Sequence, residues 1–309
     1  MEGMINKMVK TLANYTNGNY NVMLMEDGSK FRMNNEDHFD PAFAESYDIK
    51  ITSVCTGSNC EYCYEGCGPE GKHANLNQSF FNTIHPGTEI AINGNDLSHP
   101  GLPDFLRKMR NRNVIVNMTV NQIHFEKYFD ALKEWASNKM IWGLGISLVN
   151  PTPGFIEKVR QFPNAIIHVI NGIVSVPQLE ILADNGFKLL ILGYKRLNRG
   201  EDYYDAYDYL VKAMQEDLKQ YLFTEIIPQN WFSIISFDNL ALEQLEVREH
   251  VDEEAWEKNY LGEDGFASFY IDAVDGTFAK NSVAPANERY PIMNNVDDMF
   301  NFIRSKTNE

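Results

Sequence analysis

From Tyr47 onward, short runs rich in β-branched residues alternate with amphipathic segments, and this alternation restricts the fold more than any other feature. The runs are Ile49 to Val54, Glu89 to Ile92, Val114 to Thr119, Ile141 to Leu148, Ala165 to Ile170 and Leu189 to Leu192. Between them, Leu102 to Arg112 sets Leu102, Phe105, Leu106 and Met109 on one helical face, and Phe125 to Trp135, Phe155 to Phe162, Pro177 to Asn185 and Asp205 to Tyr221 complete the pattern. A strand that hands over to a helix and then to another strand pairs in parallel, because the helix returns the chain to the starting end of the sheet. The expected fold class is α/β, a partial or near-complete parallel (β/α) barrel whose core spans residues 47–230.

Two flanking segments read differently. Asn19 to Asn34 alternates about Glu26-Asp27-Gly28, where Asp-Gly suits a tight turn, so residues 1–46 read as an N-terminal β-hairpin and a connector. Residues 231–309 read as a C-terminal α+β extension that packs on the barrel or closes it, through the apolar runs Phe232 to Phe237 and Ala267 to Ile271. No internal repeat or Pro/Ser-rich linker divides the chain, and 309 residues with 44% hydrophobic content support one sizeable core.

Lys and Arg total 27 against 43 Asp and Glu, a formal charge of -16 that disfavours long nucleic acid as a partner. The acids are spread through Asp202 to Glu225 and Glu243 to Glu263 and read as solvated helix faces. No stretch approaches the roughly 18 apolar residues of a membrane span. Met1 to Gly18 lacks the apolar run of a secretory signal, so a cytoplasmic location without a membrane partner is expected.

All four cysteines lie between Cys55 and Cys67, directly after the first core strand. Scattered cysteines suit core packing, whereas cysteines gathered in one short loop suit a shared ligand, and disulfides this local would stabilise little. Three thiolates on such a loop can hold three irons of a cubane and leave the fourth iron open. A single tetrahedral zinc on Cys55, Cys60, Cys63 and Cys67 is the competing arrangement. For Cys67 a free thiol, a zinc ligand and a substituted cluster ligand all stay open.

A strand followed by three closely spaced cysteines, with Tyr62 just before the third, resembles the signature of the radical S-adenosylmethionine (radical SAM) superfamily. Glu89-Ile-Ala-Ile-Asn-Gly-Asn-Asp96 stands where that family has a strand ending in a Gly-rich acidic turn, and His99-Pro100-Gly-Leu102 follows the family's order. Thr119-Val-Asn121-Gln122 stands where the family often has Thr-Asn-Gly. Asp48-Ile-Lys-Ile-Thr52, Gly193-Tyr-Lys195 and Gly262-Glu-Asp-Gly265 leading into Phe269-Tyr-Ile-Asp272 resemble uncharacterised radical SAM proteins of phages and Gram-positive bacteria. Two departures stand out. Thr56 to Asn59 separate the first two cysteines where the family commonly has one residue fewer, with Gly57 able to absorb the extra residue, and Asn93-Gly94-Asn95-Asp96 replaces a Gly-Gly-Glu type turn.

The resemblance implies a barrel of the radical SAM type and a [4Fe-4S] cluster on Cys55, Cys60 and Cys63. It implies that S-adenosylmethionine on the open iron is cleaved to a 5'-deoxyadenosyl radical, which abstracts hydrogen from a small-molecule or peptide substrate. An external electron donor such as flavodoxin or ferredoxin is implied as well. Carried over by position, Tyr62 takes the aromatic place, Gly94, Asn95 and Asp96 meet the methionine amino group, and Asn121 and Ser147 face the ribose or carboxylate. Asn171-Gly172 and Gly193-Tyr194-Lys195 border the adenine. The alternatives are a catalytically altered binding or regulatory protein of the same type and a zinc-stabilised interaction module.

Other polar residues carry paired readings. Lys72 and His73 either position a substrate or belong to a solvated lid. Lys195-Arg196 with Arg199 either holds a carboxylate or phosphate, or opens a helix by pairing with Asp202 and Asp205. His99, His124 and His168 read as structural, since no second ligand repeats at metal spacing. Glu263 and Asp264 read as a loop rather than a calcium site.

Overall fold

The computed structural model describes residues 9–36, 38–56, 60–93 and 96–307. A small antiparallel sheet comes first, made of β1 (Thr11–Asn17), β2 (Tyr20–Met25) and β3 (Lys30–Met33). The expected hairpin is β2–β3, turning at Asp27 and Gly28 with a φ of 92° at the glycine. Its partner β1 went unread because only Asn17 is buried along it, so no apolar alternation marks the strand.

The main sheet contains β4 (Ser46–Lys50), β5 (Glu89–Ile92), β6 (Ile115–Asn121), β7 (Leu144–Ser147), β8 (Ala165–Ile170), β9 (Lys188–Leu192), β10 (Ile234–Phe237), β11 (Ser268–Asp272), β12 (Thr277–Ala279) and β13 (Tyr290–Pro291). Its order is β10-β9-β8-β7-β6-β5-β4-β11-β12-β13. All neighbours from β10 to β11 pair in parallel, and β12 and β13 pair antiparallel. The helices are α1 (Leu102–Asn111), α2 (Gln122–Lys127), α3 (Phe129–Ser137), α4 (Pro153–Val159), α5 (Val176–Leu182), α6 (Arg199–Tyr221), α7 (Asn239–Gln244), α8 (Glu253–Asn259) and α9 (Val296–Thr307). None of the described helices is long and apolar enough to cross a membrane.

The sheet is open, with β10 and β13 as its edges. The reason lies in the last third of the chain: β11 lies beside β4, and its other edge is taken by the antiparallel return of β12, so β10 finds no free ladder there. The apolar runs expected to close a barrel or form a separate layer thus join the main sheet on opposite flanks, β10 on β9 and β11 on β4.

Alternation along the parallel strands divides the two faces. Tyr47 and Ile49 on β4, Ile90 and Ile92 on β5 and Val116, Met118 and Val120 on β6 are buried in the helix-covered core. The opposite face carries Asp48, Ala91, Thr119, Asn121, Ser147 and His168, which border one cavity. Strands buried on both faces usually read as continuous apolar runs. Here polar and small residues alternate with aliphatic ones because the inner face borders a void rather than a packed centre.

The helix expected over Phe125 to Trp135 is two helices that meet at Tyr128, whose φ of -109° and ψ of 24° leave helical geometry. The break lets Phe125 and Phe129 both contact Phe162, each with ring centroids 5.6 Å away. The small sheet covers the amino-terminal ends of the main strands: Asn164 donates to the Glu26 carbonyl at 2.8 Å and Lys188 to the Asp27 carbonyl at 2.7 Å. Glu45, just before β4, accepts from Tyr20 at 2.6 Å and from Arg32 Nε at 2.8 Å, tying the two sheets through a buried carboxylate.

Candidate functional site

The carboxyl ends of β4 to β9 open onto a cavity of about 510 Å3. Loops of a parallel sheet converge at this end, so side chains from many strands meet there. Cys55, Cys60, Cys63 and Cys67 all border it.

Backbone bonds shape the cysteine loop. Cys55 N–H donates to the Gly68 carbonyl at 2.8 Å, Cys63 N–H to the Cys60 carbonyl at 3.2 Å, and Gly66 N–H to the Cys63 carbonyl at 3.2 Å. The loop then returns along the continuation of β4, where Ser53 N–H donates to the Lys72 carbonyl at 2.8 Å and Ala74 N–H to the Ile51 carbonyl at 2.9 Å. Gly71 permits this approach, since a Cβ there would stand 2.1 Å from the Ser53 oxygen. Lys72 and His73 therefore belong to a pinned arm and not to a lid, and neither borders the cavity. His73 bonds Thr52 Oγ1 at 2.8 Å.

Arg199, at the start of α6, clamps the loop from outside. Its Nε donates to the Cys60 carbonyl at 3.1 Å and its Nη2 to the Cys67 carbonyl at 2.9 Å, while Asn198 donates to the Tyr64 carbonyl at 2.7 Å. Of the basic cluster, only Arg196 pairs with a helix acid, Asp205 at 3.1 Å. An Arg199→Ala variant is expected to lose the clamp and retain several-fold less reconstituted iron, with faster proteolysis between Cys60 and Cys67. Arg199→Lys is expected not to restore it, because a lysine cannot reach two carbonyls with a planar fork. Iron content and limited proteolysis check both variants.

The thiols differ in character. The neighbouring Cys67 thiol draws the Cys63 thiol below the ordinary thiol range against the effect of burial, with backbone N–H groups and Arg199 adding to it. Cys67, 4% exposed, is pushed up by the same neighbour and by burial, and its Sγ donates to the Glu65 carbonyl at 3.8 Å. Asn121 Nδ2 contacts Cys60 Sγ at 3.6 Å while its Oδ1 caps α2 by accepting from Ile123 N–H. Among the described residues, no three His, Cys, Asp or Glu side chains are grouped closely enough to hold one metal ion. Cubane ligands each bind a different iron, which sets their sulfurs farther apart than the ligands of one ion.

The other anticipated residues distribute as follows. Tyr62 borders the cavity, its ring edge-on to Tyr203 at 5.8 Å, and its phenol is raised to about 12 by burial and by Cys60. Ser147 and Lys195 border it too; Lys195 donates to Ser282 Oγ at 3.1 Å and lies over the Tyr64 ring at 4.4 Å. Gly94 and Asn95 lie outside the described residues, as does the side chain of Asp96. Asn171 is not on the cavity wall: it is fully buried behind it, donating to Gln244 Oε1 at 3.2 Å, because the chain turns away from the sheet after Ile170.

Several bordering residues were not read from the sequence, among them Asp48, Asn93, Glu65, Asp238 and Asp264. Asp48 and Asn93 were named only within the segments Asp48 to Thr52 and Asn93 to Asp96, with no role of their own. Asn93 Nδ2, just after β5, is a buried donor with no partner among the described residues. His168, which reads as structural in the sequence, borders the cavity as a neutral ring, since burial lowers it to about 4. It lies across Gly145, where a Cβ would stand 2.3 Å from the imidazole.

No protein-family model and no curated protein matches this chain. Among solved structures it is similar to Streptococcus suis SuiB, crystallised bound to S-adenosylmethionine, with a TM-score of 0.56 and 12% sequence identity. The likeness covers 82% of this chain and 64% of that one, so this chain spans under two thirds of its neighbour's length. At that identity the two share a fold.

Proposed function

We propose that this chain is a radical SAM enzyme, in which Cys55, Cys60 and Cys63 hold three irons of a [4Fe-4S] cluster facing the cavity. The observation that carries the reading is that all three thiols border one cavity at the carboxyl ends of parallel strands, in a fold shared with an S-adenosylmethionine-bound protein. The donor set fits: the Cys63 thiol is lowered toward its thiolate, and Asn93, on the cavity wall, has a buried Nδ2 with no partner among the described residues. When bound, the cluster supplies reductive cleavage of S-adenosylmethionine to a 5'-deoxyadenosyl radical that abstracts hydrogen from substrate.

This chain's own residues bind, orient and exclude water. Arg199 and Asn198 hold the loop, Asn121 orients Cys60, and Cys67 lowers the Cys63 thiol. Ser147 takes a polar group of the cofactor, while Leu148, Ile170 and Leu192 supply an apolar wall that keeps water from a reactive intermediate. On this reading the open sheet counts as a partial (β/α) barrel flanked by residues 1–46 and 231–309, working in the cytoplasm with an external electron donor.

Anaerobic reconstitution with iron and sulfide tests this. The expected result is a brown protein that forms 5'-deoxyadenosine only with reductant and S-adenosylmethionine. A protein that takes up no iron and never yields that product overturns the reading; one that binds S-adenosylmethionine without cleaving it is a binding protein on the same fold.

A further inference from the structure

Besides the cysteines, the cavity wall carries the charged side chains Asp48, Glu65, Lys195, Asp238 and Asp264. Asp48 sits in mid-strand, registered with Ala91 on β5 and Tyr270 on β11, and its carboxylate is open to the void although protein surrounds it. The other carboxylates bordering the cavity each have at least one partner, although Glu65 Oε1 is a buried oxygen with none among the described residues. Glu65 pairs with Lys50 at 3.0 Å, Asp238 accepts from Gly193 N–H and Ala241 N–H at 2.8 Å each, and Asp264 accepts from Asn239 at 2.7 Å and Asn281 at 2.6 Å. The nearest cation, Lys195, is committed to Ser282 and the Tyr64 ring and forms no ion pair with Asp48. Among the described residues, Asp48 makes no hydrogen bond or ion pair.

Asp48 is exposed to the cavity and solvated there, so a ligand that displaces this water has to supply the missing charge. The small Ala91 beside it leaves room for that ligand, and one carboxylate without companions at ligating distance suits an organic cation rather than a metal ion. We infer that the substrate carries a cationic nitrogen, an ammonium or a guanidinium, which this chain seats on Asp48. The inference rests on reading the cavity as the reaction chamber.

The local charges agree. Burial raises the Asp48 carboxyl to about 6; Lys195 opposes the rise, and Glu65, Asp264 and Asp238 add to it, while the neighbouring phenols of Tyr64 and Tyr270 stay neutral. Above pH 6 Asp48 is an anion and attracts the cation; as pH falls through 6 it is protonated and the attraction ends.

The test uses the full chain and two probes of equal length, n-pentylamine and n-pentanol, followed by ligand-observed NMR titration. Amine binding that exceeds alcohol binding, weakens below pH 6 and falls at least about tenfold in Asp48→Asn is expected, the size of one charge-assisted hydrogen bond. Asp48→Glu is expected to restore part of it, and circular dichroism shows whether each variant is folded. Equal binding of amine and alcohol, or amine binding unchanged in Asp48→Asn, overturns the inference. S-adenosylmethionine binding is titrated separately. A parallel loss of both affinities assigns Asp48 to the cofactor and also overturns it, whereas failure of S-adenosylmethionine to bind any form counts against the proposed enzyme and not against amine recognition.

Discussion

Replacing Cys55, Cys60 or Cys63 singly by alanine is expected to reduce the iron and sulfide retained after anaerobic reconstitution to background, with loss of the visible charge-transfer absorption. Each removes one of three thiolates, and a cluster with two anchors exposes a further iron to solvent and chelators. On the proposed assignment Cys67 is not one of the three ligands and acts as a neighbour that lowers Cys63, so it is expected to behave differently. Cys67→Ser keeps a donor and should retain iron close to the parent level, whereas Cys67→Ala leaves Cys63 unsupported and should retain several-fold less. Iron analysis and absorption spectra on folded variants decide the matter: full iron in any of the first three would sink the assignment, and background iron in Cys67→Ser would point to a site of four thiolates.

The second large effect concerns stability. Glu45 has a side chain 1% exposed and gathers Tyr20, Arg32 and Lys30, at 2.6, 2.8 and 3.5 Å, beneath the first core strand. Removing one member of a buried ion pair leaves the other charge uncompensated, which costs about 3–5 kcal/mol. Glu45→Ala is expected to lower the urea midpoint accordingly, a large share of the roughly 5–15 kcal/mol by which domains are stable. Lys30 keeps Glu89 at 2.6 Å, so the stranded charge is mainly that of Arg32. Removing both charges, in Arg32→Met with Glu45→Leu, is expected to recover most of the loss. A single variant costing under about 1 kcal/mol, the range of exposed pairs, would show that water reaches this network.

These two centres differ in how visible they were beforehand. The cysteine loop is local chemistry: the spacing of Cys55, Cys60 and Cys63 after an aliphatic run announces a shared ligand in any compact fold. The six parallel strands from β4 to β9 were legible for a similar reason, since strand runs and amphipathic helices repeat at short range. Glu45 carried no such mark, because its partners Tyr20 and Arg32 become neighbours only when the small sheet docks on the large one.

The same contrast holds within the cavity. Asn121 could be placed from its position at a strand end, but Arg199 reads equally well as a helix-start cation until its guanidinium is seen on the Cys60 and Cys67 carbonyls. Asn171 had the right strand-end position and the wrong direction, because the turn after Ile170 carries it behind the wall to Gln244. Asp48 entered the sequence reading only as the start of the segment Asp48 to Thr52, and its place on the cavity wall without a hydrogen bond or ion pair among the described residues is a tertiary fact. Periodicity and spacing act between near neighbours along the chain and therefore survive in a one-dimensional reading. Which flank of the sheet receives β10 or β11, and hence why it stays open, depends on which strand edges are already occupied, and that competition exists only once segments some two hundred residues apart have met.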